Sequence, residues 1–151
     1  MAATIRIQTE SFDTAAETAA LTRGRADVGA VVAFTGLCRD EGGRLAALEL
    51  EHYPGMAEAE LARIATDAET RWPLMGLTVI HRFGRIVPGE EIVLVLAASA
   101  QRRAAFEAAE FLMDYLKTRA PFWKREHLRD GSVGAWVEAK TVDDEATERW
   151  S

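Results

Sequence analysis

A chain of 151 residues, 48% apolar and 28% charged, suits one hydrophobic core and an ordinary soluble globular domain spanning residues 1–151. The formal net charge of −6 argues against a general nucleic-acid binder, and the single cysteine, Cys38, excludes an intrachain disulfide. No apolar run reaches bilayer length, and MAATIRIQTE has neither the basic nor the apolar region of a secretion signal, so no membrane association and a cytoplasmic location are expected.

Taken in chain order, residues 4–8 (TIRIQ) alternate as a short strand. Thr14 and Glu17 form a capping-box pattern ahead of an Ala-rich helix over about 14–22. Residues 28–35 (VGAVVAFT) are β-branched and apolar, as expected of a strand buried on both faces. The polar, Gly-rich RDEGGR (39–44) reads as a loop, and 45–52 as a half-buried strand with Ala46, Leu48 and Leu50 inward. Pro54-Gly55 breaks the chain before a helix carrying Leu61, Ile64, Ala65, Ala68 and Trp72, which Pro73 stops.

Strands follow at 77–83 and 91–98, joined by a turn at Pro88-Gly89. Ser99 is the expected N-cap of a helix over about 100–118, with Ala105, Ala109, Leu112 and Leu116 buried and Phe106 and Met113 alongside. Pro121 prevents its continuation, and 134–140 (GAWVEAK) is the expected last strand before an acidic tail. Strands interrupted by about three helices, without a regular βαβ rhythm, give an α+β class.

Chemistry has three candidate locations. Lys117, Arg119, Lys124 and Arg125 lie within nine acid-free residues of an acidic chain, which suggests a focused anion site. Lys117 falls on the last helical turn, where a cation meets the negative end of the dipole, and Pro121-Phe122-Trp123 reads as an aromatic elbow before Lys124-Arg125. The plain alternative is a solvated basic surface with Trp123 in the core. Second, Ser99-Ala100-Gln101-Arg102-Arg103 lies at the expected start of the long helix, where free N–H groups suit an anion; pairing of the arginines with Glu107 or with solvent is the alternative. Third, Phe34 to Arg39 runs from a strand into a loop. His52, His81 and His127 are far apart in sequence and read as hydrogen-bonded structural residues, and Cys38 as a small hydrophobe. No metal or cofactor is expected: the histidines show no Cys/His spacing motif, and no phosphate loop or dinucleotide fingerprint is present.

GAVVAFTG (29–36) followed by Arg39, LEHYPGM (50–56), RWPL (71–74), VIHRFG (79–84), PGEEIV (88–93), SAQR (99–102), MDYLKTRAPFWKRE (113–126) and WVEAK (136–140) occur in one order. In these segments the chain resembles the large, catalytic subunit family of molybdopterin synthase over about residues 3–150. The resemblance implies an α/β-hammerhead-type single domain with a mostly antiparallel sheet, and a homodimer within a heterotetramer. It implies a small, ubiquitin-like sulfur-carrier subunit whose C-terminal Gly-Gly ends in a thiocarboxylate. The implied reaction installs two sulfurs on cyclic pyranopterin monophosphate to form the dithiolene of molybdopterin, a sulfurtransferase step of molybdenum-cofactor synthesis.

By the same resemblance Lys117 and Lys124 are the catalytic residues, Lys117 for acid–base or electrophilic work and Lys124 for positioning, roles that could be exchanged. Leu37, Cys38, Arg39, Gln101, Arg102, Lys117, Lys124, Arg125 and Glu126 become the substrate-binding set, because arginines and lysines hold a phosphate through charge-assisted hydrogen bonds. The chain departs from the family where Gln101 replaces a histidine, Leu37-Cys38 a lysine-valine pair and Lys140 an arginine. Two rival readings are a non-catalytic module for a ubiquitin-like Gly-Gly tail and a nucleic-acid binder using the basic segment. Lys117 and Lys124 together favour the enzyme.

Overall fold

The computed structural model describes residues 3–138 together with Glu148 and Trp150. Along the chain run β1 (Thr4–Gln8), α1 (Thr14–Thr22), β2 (Ala30–Leu37), a 3-10 turn (Glu41–Gly43), β3 (Leu45–His52), α2 (Met56–Arg71), β4 (Leu74–Arg82), β5 (Gly84–Ile86), β6 (Glu91–Ser99), α3 (Arg102–Thr118) and β7 (Phe122–Leu128). The strands form a four-stranded sheet in the order β1-β4-β6-β2 and a three-stranded sheet in the order β5-β3-β7. Among the described residues only the β1–β4 pair is parallel. Three α-helices on mostly antiparallel sheets give the expected α+β class.

β4 and β6 are the most buried strands and occupy the centre of the larger sheet, where both faces are covered. Leu77, Val79, Val93, Val95 and Ala97 face α2 and α3, which contribute Leu61, Ile64, Ala68, Phe111, Leu112 and Leu116. Ile80, Leu94 and Leu96 face the other way, against Phe12, Leu21 and Val31. Gly76 permits this packing of α1, since a Cβ there would lie 2.6 Å from the Leu21 side chain. A second core under the small sheet joins Cys38, Leu45, Leu50 and Ile86.

Several expectations shift for identifiable reasons. β2 is an edge strand, so Phe34 and Leu37 are exposed rather than buried on both faces. A bulge between Leu45 and Ala47 buries Ala47 and breaks the expected alternation of β3. α1 is capped by Asp13, whose Oδ1 accepts from the Ala16 N–H at 3.2 Å, while the Glu17 carboxylate pairs with Arg6 instead of closing a box. Glu58 does reach back, accepting from the Gly55 N–H at 2.9 Å, and Gly55 supplies the φ of 85° that starts α2.

Ser99 is not a cap. It ends β6, buried, with its Oγ donating to the Pro73 carbonyl at 2.8 Å, and Gln101 takes the N-cap position of α3 without a side-chain capping bond. In α3 the four expected inward residues are buried, but Phe111 is the large buried ring and Phe106 is 60% exposed. The last strand lies earlier than expected. Residues 122–128 pair along β3 from His52 opposite Phe122 to Leu48 opposite Glu126. From the expected strand at 134–140, the described part contributes one bridge, Val137 to Lys124, and a Gly134 N–H bond to the Glu126 carbonyl at 2.8 Å. Lys140 and the tail at 141–147 lie outside the described residues.

Candidate active site

The end of α3 and the start of β7 are set by local chemistry. The Arg119 N–H donates to the Tyr115 carbonyl at 2.7 Å, closing the last turn, and Pro121 then turns the chain into β7. Lys117 therefore stands at the helix C-terminus, where a cation is favoured. In β7 successive side chains alternate, so Phe122, Lys124 and Glu126 share one face.

Between α3, β7 and the loop after β2 lies a cavity of about 480 Å³, within the range of small-molecule sites. Leu37, Cys38, Arg39, Lys117, Lys124 and Glu126 line it, so six of the nine sequence-derived residues converge. Leu48 and Leu50 contribute apolar wall, and Trp123 is tied to Glu138 by a 2.7 Å bond from Nε1. A second cavity of about 100 Å³ adjoins it, lined by Phe34, Gly36, Val93 and Met113, with Leu37, His81, Ile92, Leu116 and Lys117 common to both.

The remaining three residues stand elsewhere. Arg125 points to the opposite face of β7, where its Nε donates to Glu49 Oε1 at 2.8 Å and its guanidinium lies 4.5 Å from the Trp136 ring centre. His127 Nε2 donates to the same Glu49 oxygen at 2.9 Å, and the two bonds, that from His127 foremost, hold the Glu49 carboxyl below the usual carboxylate range. Gln101 and Arg102 sit exposed at the far end of α3, and Arg103 takes the plain alternative by pairing with Glu107 at 2.9 Å.

Glu41, which ion-pairs with Arg39, and Glu138 both line the cavity, so the wall is mixed rather than purely cationic. Cys38 is buried with its Sγ 3.8 Å from the Ile86 carbonyl, and burial pushes its thiol up, so it stays protonated and is not a poised nucleophile.

Two of the histidines are hydrogen-bonded as expected, His127 to Glu49 and His81 to the Arg82 carbonyl. Less expected, His81 and His52 come together at Phe122, with ring centres 3.9 and 6.0 Å from it. His52 Nδ1 is buried without a hydrogen bond among the described residues, 3.8 Å from the Glu51 carboxylate. His81 faces both cavities. Its sequence neighbourhood gave no sign of this, because only the pairing of β3 with β7 brings Phe122 over β4.

A family model described as MoaE protein matches residues 7–119. The chain belongs to the MoaE family of molybdopterin synthase catalytic subunits. It is 73% identical over 150 residues to a molybdopterin synthase catalytic subunit of Mesorhizobium japonicum, covering 99% of this chain and 94% of that protein. A solved molybdopterin biosynthesis MoaE protein of Burkholderia ambifaria superposes with a TM-score of 0.85 at 49% identity, covering 98% of this chain and 97% of that one. Molybdopterin synthase from Staphylococcus aureus gives 0.78 at 31% identity, over 87% of this chain and 95% of that one. The match to the MoaE model includes Lys117 and stops short of Lys124. Among the described residues no helix is long and apolar enough to cross a membrane, and no three metal-ligating side chains cluster.

Proposed function

We propose that the larger cavity transfers sulfur from the thiocarboxylate of a small ubiquitin-like carrier to cyclic pyranopterin monophosphate, with residues 1–151 acting as one catalytic domain in the cytoplasm. The observation that carries this reading is the convergence of Lys117 from α3 and Lys124 from β7 on one cavity, with Arg39 at its rim. Such a constellation suits a phosphorylated substrate, because each cation adds a charge-assisted hydrogen bond to a phosphate oxygen. Lys117 is assigned the acid–base or electrophilic role, and Lys124 positioning and charge stabilisation; Arg39, Glu126 and the Leu37-Cys38 backbone are assigned to the substrate.

In each cycle the thiocarboxylate sulfur attacks an activated side-chain carbon of the pterin, forming a C–S bond as the C–O bond at that carbon breaks and its oxygen leaves on the phosphate or, once protonated, as water. Water then cleaves the thioester, freeing the carrier as its carboxylate and leaving the sulfur on the pterin. Two cycles give the dithiolene. The sulfur arrives on the carrier, consistent with a Cys38 thiol that is buried and protonated. The name of the relatives, catalytic subunit, itself implies a second subunit.

Gln101 and Arg102 enter this reading only through a second copy of the chain. Fifteen helical steps separate Arg102 from Lys117, roughly 22 Å along the axis, too far for one small substrate to span. A homodimer within a heterotetramer accommodates them, and exposed Phe34, Leu37 and Phe106 offer apolar surface for it.

The test is reconstitution. The chain incubated with thiocarboxylated carrier and cyclic pterin is expected to yield dithiolene product, dependent on both. Tight carrier binding with no product would overturn the enzyme in favour of a module that merely holds the Gly-Gly tail.

A further inference from the structure

We propose that His81 is a positioning residue for Lys117, its imidazole fixed through Nδ1 so that Nε2 accepts a hydrogen bond from the lysine ammonium where the two cavities meet. The inference rests on the catalytic assignment of Lys117 above.

The geometry fixes the tautomer. His81 Nδ1 lies 2.8 Å from the Arg82 carbonyl oxygen, which only accepts, so Nδ1 carries the proton. That carbonyl belongs to a residue that is itself pinned: the buried Arg82 side chain donates to the carbonyls of Thr9, at 3.0 Å, and Glu91, at 2.8 Å. The ring is held flat against Phe122 at 3.9 Å and 18°, leaving it little freedom to flip. Nε2 is therefore left as a lone-pair acceptor.

A donor for it stands in the same walls. Lys117 lines both cavities, as His81 does, and among the described residues the structure gives the lysine no ion pair or hydrogen bond, to His81 or to any other group, so its ammonium is available to turn onto Nε2. Burial first, then the charge of Lys117, push the His81 imidazole down to about 4, so the ring is neutral and free to accept. The titratable groups facing it are Lys117 on α3 and His52 on β3, with Lys124 and Glu126 across the larger cavity on β7. A neutral acceptor holds an ammonium in place without neutralising its charge, which a carboxylate in the same position would do.

Two measurements test this on the full chain. Imidazole ¹⁵N spectroscopy should show His81 as a neutral Nδ1–H tautomer from about pH 5.5 to about pH 8, with an Nε2 shift that moves in Lys117→Ala. In the reconstituted reaction His81→Phe, which keeps the stack on Phe122 but lacks an acceptor, should lower kcat roughly 10–100-fold. Its KM values for carrier and pterin should stay within about threefold, and His81→Gln, which can place an amide oxygen near the Nε2 position, should recover most of the loss. An Nε2–H tautomer, an Nε2 signal indifferent to Lys117→Ala, or wild-type turnover in His81→Phe would overturn the proposal. If Lys117→Ala shifts Nε2 yet still transfers sulfur, the pairing stands and the catalytic role of Lys117 falls.

Discussion

Lys124 and Arg125 are neighbours in sequence and point in opposite directions, because β7 has a period of two. Read as a basic pair, they suggested one anion site. The strand divides them into a pocket cation and a structural cation bound to Glu49 and stacked on Trp136. The consequence is a contrast between two arginines. Arg39→Ala should weaken pterin binding roughly 10–100-fold, the loss of a hydrogen bond to a charged group of about 1.5–3 kcal/mol. Arg125→Ala should leave pterin affinity within about threefold and instead destabilise the fold by about 1 kcal/mol, because its ion pair is only partly shielded from water. Calorimetric titration and thermal melts of both variants check this, and equal losses of affinity would place Arg125 in the site after all.

At the scale of elements, the helices and central strands were legible and β7 was not. α2 and α3 carry apolar residues at helical spacing, bounded by Pro54-Gly55, Pro73 and Pro121, so local signals and tertiary packing agree. FWKREHL has no apolar alternation, since one of its faces is a wet pocket wall and the other an ion-pair cluster. A strand whose two faces both serve polar purposes escapes a pattern that looks for burial. The start of α3 was misplaced by two residues for a related reason: Ser99 satisfies its hydroxyl on Pro73, a contact across the sheet end that no local motif encodes. Gln101 leaves the cap unfilled, with Arg102 and Arg103 unfavourably placed in the first turn. Gln101→Ser should therefore stabilise the protein by about 1 kcal/mol, seen as a rise in Tm of roughly 2–4 °C. A fall in Tm would show that Gln101 already satisfies the helix start by another route.

Across the whole molecule, stability and pH are linked through groups that the fold holds away from their ordinary values. His81 is pushed down to about 4, so between that value and its ordinary 6.5 the unfolded chain takes up a proton that the folded chain refuses. Stability should fall as pH drops through this window. Glu49 acts lower: its depressed carboxyl contributes stability that is present above the ordinary 4.5 and is lost as pH falls through its folded value. Melting the wild type at about pH 7 and about pH 5 isolates the histidine, and His81→Phe should flatten the slope between them. An unchanged slope in that variant would mean that other groups carry the dependence. The acidic average of −6 gave no sign of this, because the relevant burial arises only when β7 closes over β4.

The central claim is that sulfur transfer takes place in the cavity at the end of α3 and depends on Lys117. A single-turnover measurement of dithiolene formation by Lys117→Ala, with thiocarboxylated carrier and cyclic pterin both saturating, tests it most directly. Lys117 is exposed on the last helical turn, so its removal should leave Tm within about 2 °C, and saturating both partners separates the rate from any loss of pterin affinity. The rate should fall by about 100-fold or more, as expected when a group engaged in proton transfer or charge stabilisation is lost. A folded variant that binds both partners and forms product within about tenfold of the wild-type rate would contradict the account.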